Sequence, residues 1–146
     1  MTSFEYDSIS DSESAEKLGA IHQQCFNMSP ETSGVYSGRV GLDNFRIIRD
    51  RGQIAGGLGL LEMGQWYGSK CVPMAGIAAV GIAPEYRGSG AAIELVRQTL
   101  KEISNRGIPI SALYPATQRL YRKVGYEQAG SRCSWEIPQY GSDKDF

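Results

Sequence analysis

Residues 80–93 read Val-Gly-Ile-Ala-Pro-Glu-Tyr-Arg-Gly-Ser-Gly-Ala-Ala-Ile, and this stretch decides the fold. An apolar, β-rich run stops at Pro84, a glycine-containing turn follows, and an amphipathic helical pattern begins at once. We therefore expect the turn to lie on a helix N-terminus. The first N–H groups of a helix lack backbone acceptors and carry the positive end of its dipole, which favours a bound anion. With the positive charge of Arg87 beside it, the turn is predicted to bind phosphate.

Two common phosphate-binding motifs do not fit this turn. A Walker loop requires Lys and then Ser or Thr directly after its second glycine, and no Lys follows either Gly88 or Gly90. A dinucleotide fingerprint requires a third Gly or Ala, where this chain has Ile93. If only Gly88 and Gly90 are considered, the alternative to a phosphate-binding loop is an ordinary tight turn between a strand and a helix.

The rest of the chain alternates strands and helices around this unit. Before the loop we expect a helix from Asp11 or Ser12 to Asn27, a long loop or irregular helical stretch over 28–41, strands over 45–49 and 54–63, a turn near 64–70 and a strand over 72–83. After the loop we expect a helix ending at Arg106-Gly107, a strand over 108–114, a short helix over 117–124 and a final strand from Tyr126 to Ile137. This order predicts an α/β fold in which a mixed sheet is flanked by helices.

Composition limits the classes of function. The 146 residues are 41% hydrophobic and 21% charged, which indicates one globular domain, and the formal net charge of -1 argues against a nucleic-acid or membrane partner. The three cysteines are widely spaced and form no Cys-x-x-Cys, so neither a disulfide framework nor a zinc site is predicted. Because neither a signal peptide nor a long apolar run stands out, a cytoplasmic location is expected.

Two motifs resemble one enzyme superfamily. Pro-Glu-Tyr-Arg-Gly-Ser-Gly-Ala at 84–91 resembles the acetyl-CoA loop of the GCN5-related N-acetyltransferases, and Leu-Tyr-Arg-Lys-Val-Gly-Tyr at 120–126 resembles the segment that ends their core. Over residues 40–130 the layout is similar to the N-terminal domain of the enhanced intracellular survival family, whose members acetylate aminoglycosides and other amines. Because members of that family are longer, residues 1–146 are expected to be one acetyltransferase domain, standing alone or forming the N-terminal part of a longer chain.

The resemblance implies an acyl-CoA N-acyltransferase fold, acetyl-CoA as cosubstrate and no metal. In the family, the strand before the loop pairs with the pantetheine arm of the coenzyme, the loop amides hold its pyrophosphate, and the segment matching Ala116 and Thr117 lies near its thioester end. With Arg87 as the added charge, the predicted coenzyme-binding residues are Val80, Gly81, Ile82, Arg87, Gly88, Ser89, Gly90, Ala91, Ala92, Ile93, Ala116 and Thr117.

Tyr121 matches the tyrosine that commonly serves as general acid in this family. Attack of an amine on a thioester expels a thiolate, whose conjugate acid has a pKa of about 8.5, whereas Tyr titrates near about 10. A phenol held beside the sulfur can donate its proton as the charge develops. The alternative is that Tyr121 only packs, with its hydroxyl bonded to the backbone. We expect Tyr126 to be a core residue.

The sequence does not identify a general base, because residues 74–82 contain no carboxylate. His22 and Cys25 share a helix face, and we favour a structural pair over a nucleophilic one because nothing orients the imidazole. Seven further residues are candidates for attracting or lining an acceptor, with surface charge or packing as the alternative: Glu31, Asp43, Glu62, Phe26, Tyr36, Trp66 and Tyr67.

The resulting interpretation is an N-acetyltransferase that moves an acetyl group from acetyl-CoA to a primary amine by direct attack in a ternary complex. The expected acceptor is a small cationic molecule, such as an aminoglycoside, a polyamine or a lysine side chain. The competing hypothesis is a non-catalytic coenzyme A-binding or assembly domain. The sequence leaves open whether identical copies assemble into a homo-oligomer.

Overall fold

A computed structural model describes residues 4–137, and its core is a five-stranded sheet in the order β1-β2-β3-β4-β5. Neighbouring strands are antiparallel except β4 and β5, which are parallel. The predicted mixed α/β fold is confirmed. The strands are β1 (Phe4–Ser8), β2 (Phe45–Asp50), β3 (Gln53–Tyr67), β4 (Lys70–Ile82) and β5 (Ile110–Leu113), and the helices are α1 (Ser12–Phe26), α2 (Pro30–Val40), α3 (Ala91–Asn105) and α4 (Gln118–Arg122).

Helices cover both faces of the sheet. Adjacent residues of a strand point to opposite faces, and Ile47 and Ile48 of β2, both fully buried, belong to two separate apolar clusters. The Ile47 cluster includes residues of α1 and α2, such as Leu18 and Val40. The Ile48 cluster includes residues of α3 and α4, such as Leu95. The sheet is therefore the middle layer of three.

Helices α1 and α3 and the first hairpin follow the predictions closely. Asp11 caps α1 by accepting a hydrogen bond from the Ser14 N–H at 2.7 Å, and Asn27 ends it in a left-handed conformation. The second hairpin is longer than expected. Strands β3 and β4 continue to a two-residue turn at Gly68 and Ser69, both with positive φ, rather than ending near 64 and 72.

The segment expected to be a loop or irregular stretch at 28–41 contains a regular helix, α2. Ser29 accepts the Thr32 N–H at 3.1 Å as the N-cap, and Pro30 occupies the first turn, where its missing N–H costs nothing. The periodic pattern is weak because a small polar residue, Ser33, supplies part of the buried face, opposite Gly19 of α1. Because neither residue has a large apolar side chain, a search for regularly spaced hydrophobic residues does not detect this helix face.

Two strand predictions need correction. Strand β1, which pairs with β2 from Phe4↔Asp50 to Ser8↔Arg46, was not predicted. The expected strand from Tyr126 to Ile137 is wrong, since residues 126–137 form no regular element. Trp135 and Ile137 are each 88% exposed, so the alternating apolar side chains of this segment do not pack against the core.

A partly buried ion pair fixes α3 against the sheet. Arg46 of β2 donates from Nε and Nη2 to the two carboxylate oxygens of Glu102 at 2.8 and 2.7 Å, and the Tyr6 hydroxyl donates to Glu102 Oε2 at 2.6 Å. The Arg46 hydrogen bonds hold the pKa of Glu102 below its ordinary value. Because α3 is held in this way, the loop that precedes it has a fixed position relative to the strands.

No helix within residues 4–137 is long and apolar enough to cross a membrane.

Candidate active site

Strands β4 and β5 pair over only part of their length. Their register runs from Met74↔Ile110 to Ile77↔Leu113, and β5 then ends while β4 continues to Ile82. Residues 78–82 therefore have one edge without a strand partner in the described part of the chain. An open strand edge presents N–H and C=O groups that can pair with an extended ligand.

A bulge lies at the start of this open edge. Gly57 pairs with Gly81 and Gly59 pairs with Ala78, so β4 carries one more residue than β3 between these pairs. Ala79 within the bulge has a φ of +50°, a left-handed conformation that is rare for residues other than glycine. The bulge interrupts the ladder where β4 leaves β5.

The loop after β4 presents unpaired amides. Gly88 and Gly90 have φ values of +82° and +95°, and a Cβ at either position would meet no atom within 4 Å. Among the described residues, the backbone N–H groups of Gly88, Gly90, Ala92 and Ile93 have no acceptor. The N–H of Ser89 instead bonds to Tyr86 O at 3.3 Å, and the Ala91 N–H donates to Ser89 Oγ at 3.3 Å. The open space and the four free donors fit a phosphate-bearing ligand.

Arg87 is exposed beside this loop and forms no ion pair within residues 4–137. Its Nη2 atom lies 3.8 Å from the sulfur of Cys25 on α1. The Cys25 thiol donates to the Ile82 carbonyl at 3.4 Å. Helix α1, the end of β4 and the loop are thus in direct contact.

Tyr121 lies on α4 with only 8% of its surface exposed. Its ring packs edge-to-face against Tyr126, with 6.1 Å between centroids, and its hydroxyl has no hydrogen-bond partner among the described residues. Burial raises the pKa of Tyr121, so the phenol holds its proton at neutral pH. The Tyr126 hydroxyl is 2.5 Å from Ser111 Oγ and packs at the edge of the core, as the sequence predicts.

The remaining predicted residues connect Tyr121 to the loop. Ala116, Thr117 and Tyr121 line a groove of about 770 Å³ beside β5. Thr117 also lines a smaller cavity of about 200 Å³ together with Ile93 of α3. The structure thus places the strand edge, the loop and α4 around the end of β5. Their roles toward the coenzyme remain predictions.

Known proteins resemble this chain in sequence and in fold. The sequence profile of the acetyltransferase (GNAT) domain matches residues 5–129. The chain belongs to the GNAT acetyltransferase family. A GCN5-related N-acetyltransferase from Anabaena variabilis is 60% identical, with a TM-score of 0.84 over 88% of this chain, and one from Kribbella flavida is 30% identical, with a TM-score of 0.75 over 86%. Curated protein sequences gave no significant match.

These GNAT relatives are longer proteins. The present domain spans 33% of the Anabaena variabilis chain and 33% of the Kribbella flavida chain. Eis1 from Mycobacterium abscessus superimposes on 83% of the domain with a TM-score of 0.70 at 18% identity, and the domain covers 30% of that chain. At this identity the likeness shows the fold alone.

The histidine and cysteine of α1 belong to the packing around β4. His22 is 2% exposed, between the rings of Phe26 and Phe45, and burial lowers its pKa. The positions of Cys25 and His22 beside Gly81 agree with a structural pair. The His22 Nε2 atom is nevertheless buried and unpartnered, as is the Tyr36 hydroxyl. No sequence pattern revealed either.

The candidate acceptor residues divide into separate groups. Phe26 packs against His22, and Tyr36 packs against Phe45 with its hydroxyl near Gly59, next to the bulge. Trp66 and Tyr67 are 71% and 78% exposed at the tip of the second hairpin, and Tyr67 lies roughly 26 Å along β3 from Gly59, at about 3.3 Å per residue. Glu62 pairs with Arg106. The seven candidates therefore do not form one pocket.

Proposed function

We propose that this GNAT domain binds acetyl-CoA at the open edge of β4 and transfers its acetyl group to a primary amine. One observation carries the proposal: the unpaired edge at 78–82 leads directly into a loop with four free amides at the start of α3. The edge suits the amide-containing pantetheine arm, and the loop suits the pyrophosphate. Acetyl-CoA supplies the activated acetyl thioester.

The residues of the domain then have separate tasks. The amides of Gly88, Gly90, Ala92 and Ile93 bind phosphate oxygens. N–H groups along the open edge of β4 orient and polarise the thioester carbonyl. Tyr121 keeps its proton on Oη and donates it to the departing thiolate. The acceptor amine attacks the thioester carbonyl directly in its neutral form, without a covalent intermediate on the protein. The C–N bond forms as the C–S bond breaks, and the proton lost by the amine nitrogen passes to solvent, since residues 74–82 contain no carboxylate to accept it.

We further propose a small cationic acceptor. Glu31 at the start of α2 and Asp43 before β2 are exposed carboxylates that make no ion pair within residues 4–137. Glu31 lies in the first turn of α2 and Asp43 follows this helix, which also carries Tyr36, whose hydroxyl lies beside Gly59 at the edge of the bulge. Carboxylates in these positions attract an ammonium group toward the open edge of the sheet.

Thiol release from acetyl-CoA in the presence of aminoglycosides, polyamines and lysine peptides tests the proposal. Turnover with at least one amine class is expected. Binding of acetyl-CoA without turnover by any acceptor would identify a coenzyme-binding module instead. Turnover with hydroxyl acceptors alone would contradict the amine assignment.

A further inference from the structure

A cavity between α3 and α4 joins the amide-lined loop to two positive charges. The cavity, of about 200 Å³, is lined by Ile93, Thr117, Arg119, Leu120 and Lys123. Ile93 belongs to the first turn of α3 and supplies one of the four free N–H groups of the loop. The cavity therefore adjoins the loop amides at Ile93.

The two cations are arranged to act together. Arg119 and Lys123 are four residues apart, which places them on one side of α4 and its C-cap. Neither forms an ion pair within residues 4–137, and no carboxylate lines the cavity. By contrast, Arg122 on the same helix pairs with Glu127 at 2.6 Å. The cavity thus retains positive charge that no described protein group neutralises.

This charge fits a second phosphate. Coenzyme A carries a 3′-phosphate on its adenosine ribose, one sugar away from the pyrophosphate, and a phosphomonoester has a charge of about −1.5 to −2 at neutral pH. The forked guanidinium of Arg119 can bind two phosphate oxygens, and the Lys123 ammonium adds a point charge. At about 30 Å³ per water molecule, the cavity has room for the phosphate and part of the ribose.

We propose that Arg119 and Lys123 bind the 3′-phosphate of coenzyme A and make this domain select the coenzyme over its 3′-dephospho form. The inference rests on the proposed function, because it assumes that the pyrophosphate occupies the adjoining loop. It assigns a specificity role to α4 that is separate from the role of Tyr121 on the same helix.

Calorimetric titration with coenzyme A and with 3′-dephospho-coenzyme A tests this assignment. The wild-type chain should bind coenzyme A more tightly. The double variant Arg119→Gln/Lys123→Gln should lose roughly tenfold to hundredfold in affinity for coenzyme A and bind the dephospho form as wild type does. Arg122→Gln removes the same charge from the same helix outside the cavity and should retain the discrimination.

Each other result has a distinct meaning. Equal binding of the two ligands by the wild type would overturn the 3′-phosphate assignment and leave the proposed function intact. An equal loss for both ligands in the double variant would also overturn it, because the cations would then act on a group that both ligands share. Failure of the wild type to bind either ligand would reject the proposed function and this inference with it. Melting curves establish that each variant is folded.

Discussion

Gly81 of β4 and His22 of α1 are in such close contact that a Cβ on Gly81 would lie 2.9 Å from Cδ2 of His22. The imidazole cannot move aside easily, because it is buried between Phe26 and Phe45. Glycine at this position therefore allows α1 to approach β4 next to the bulge at Ala79. At this height one edge of β4 pairs with β3, and the other edge is open.

Gly81→Ala should lower the free energy of unfolding by about 1–3 kcal/mol, because the added methyl group overpacks the contact with His22. Chemical denaturation measures the change. Gly34→Ala is the matched control, since nothing lies within 4 Å of its Cβ position in α2, and it should raise stability by up to about 1 kcal/mol. Equal stability of wild type and Gly81→Ala would show that the His22 contact is not tight.

Gly90→Ala should weaken acetyl-CoA binding roughly tenfold or more, because a side chain in the loop hinders the approach of phosphate to the free amides. Gly107→Ala serves as the control. Both glycines have positive φ and open surroundings, so both variants should lose about 1–2 kcal/mol of stability through backbone strain. If calorimetry showed the same affinity for both variants, the loop would not be the phosphate site.

Tyr121→Phe should lower kcat by about 10²–10⁴-fold while KM for acetyl-CoA and the melting temperature change little, because only the phenolic proton is removed. Burial raises the pKa of Tyr121 above 10.0, so the phenol keeps its proton at and below neutral pH. The contribution of Tyr121, measured as the ratio of wild-type kcat to Tyr121→Phe kcat at each pH, should decline only as pH rises through the raised value. Single-turnover kinetics across pH measure both effects.

The comparison variant for Tyr121 is Tyr126→Phe. It removes the hydroxyl that bonds to Ser111 and should cost about 1 kcal/mol of stability with turnover retained. A destabilised but fully active Tyr121→Phe would assign that hydroxyl to the core instead of to catalysis.

Glu102→Gln should lower the free energy of unfolding by about 1–3 kcal/mol at neutral pH, because it removes the charge that binds Arg46 and Tyr6. The pKa of Glu102 is depressed in the folded state, so its contribution is present above 4.5 and is lost as pH falls through the folded value. Unfolding titrations at several pH values should therefore show a smaller difference between wild type and variant in acid.

Glu94→Gln is the control for Glu102→Gln, because it disrupts an ion pair with Arg97 that is more exposed to solvent. Its effect should be at most about 1 kcal/mol. A Glu102→Gln effect as small as this one would mean that α3 is held to the sheet by apolar packing alone.

Local sequence patterns determined the central unit of the fold. Pro84, the glycines at 88 and 90 and the apolar period of α3 act within a few residues of each other, so the strand, turn and helix could be predicted without knowledge of the rest of the chain. The free amides follow from the same local geometry. Together with Leu-Tyr-Arg-Lys-Val-Gly-Tyr at 120–126, this unit was sufficient to indicate the family.

Features that depend on distant contacts were not predictable in this way. The regular helix α2 depends on the Ser33 contact with α1, and residues 126–137 alternate like a strand without forming one. The end of β4–β5 pairing at Ile77 and Leu113 depends on which edges meet. The sequence alone was enough to predict the loop with free amides before α3, because a helix N-terminus is a local structure. Three features depend on the packing of elements that lie far apart in the chain: the opening of the β4 edge, the burial of His22 against Gly81 and the position of Arg119 and Lys123 next to the loop. Local sequence patterns carry no information about such contacts.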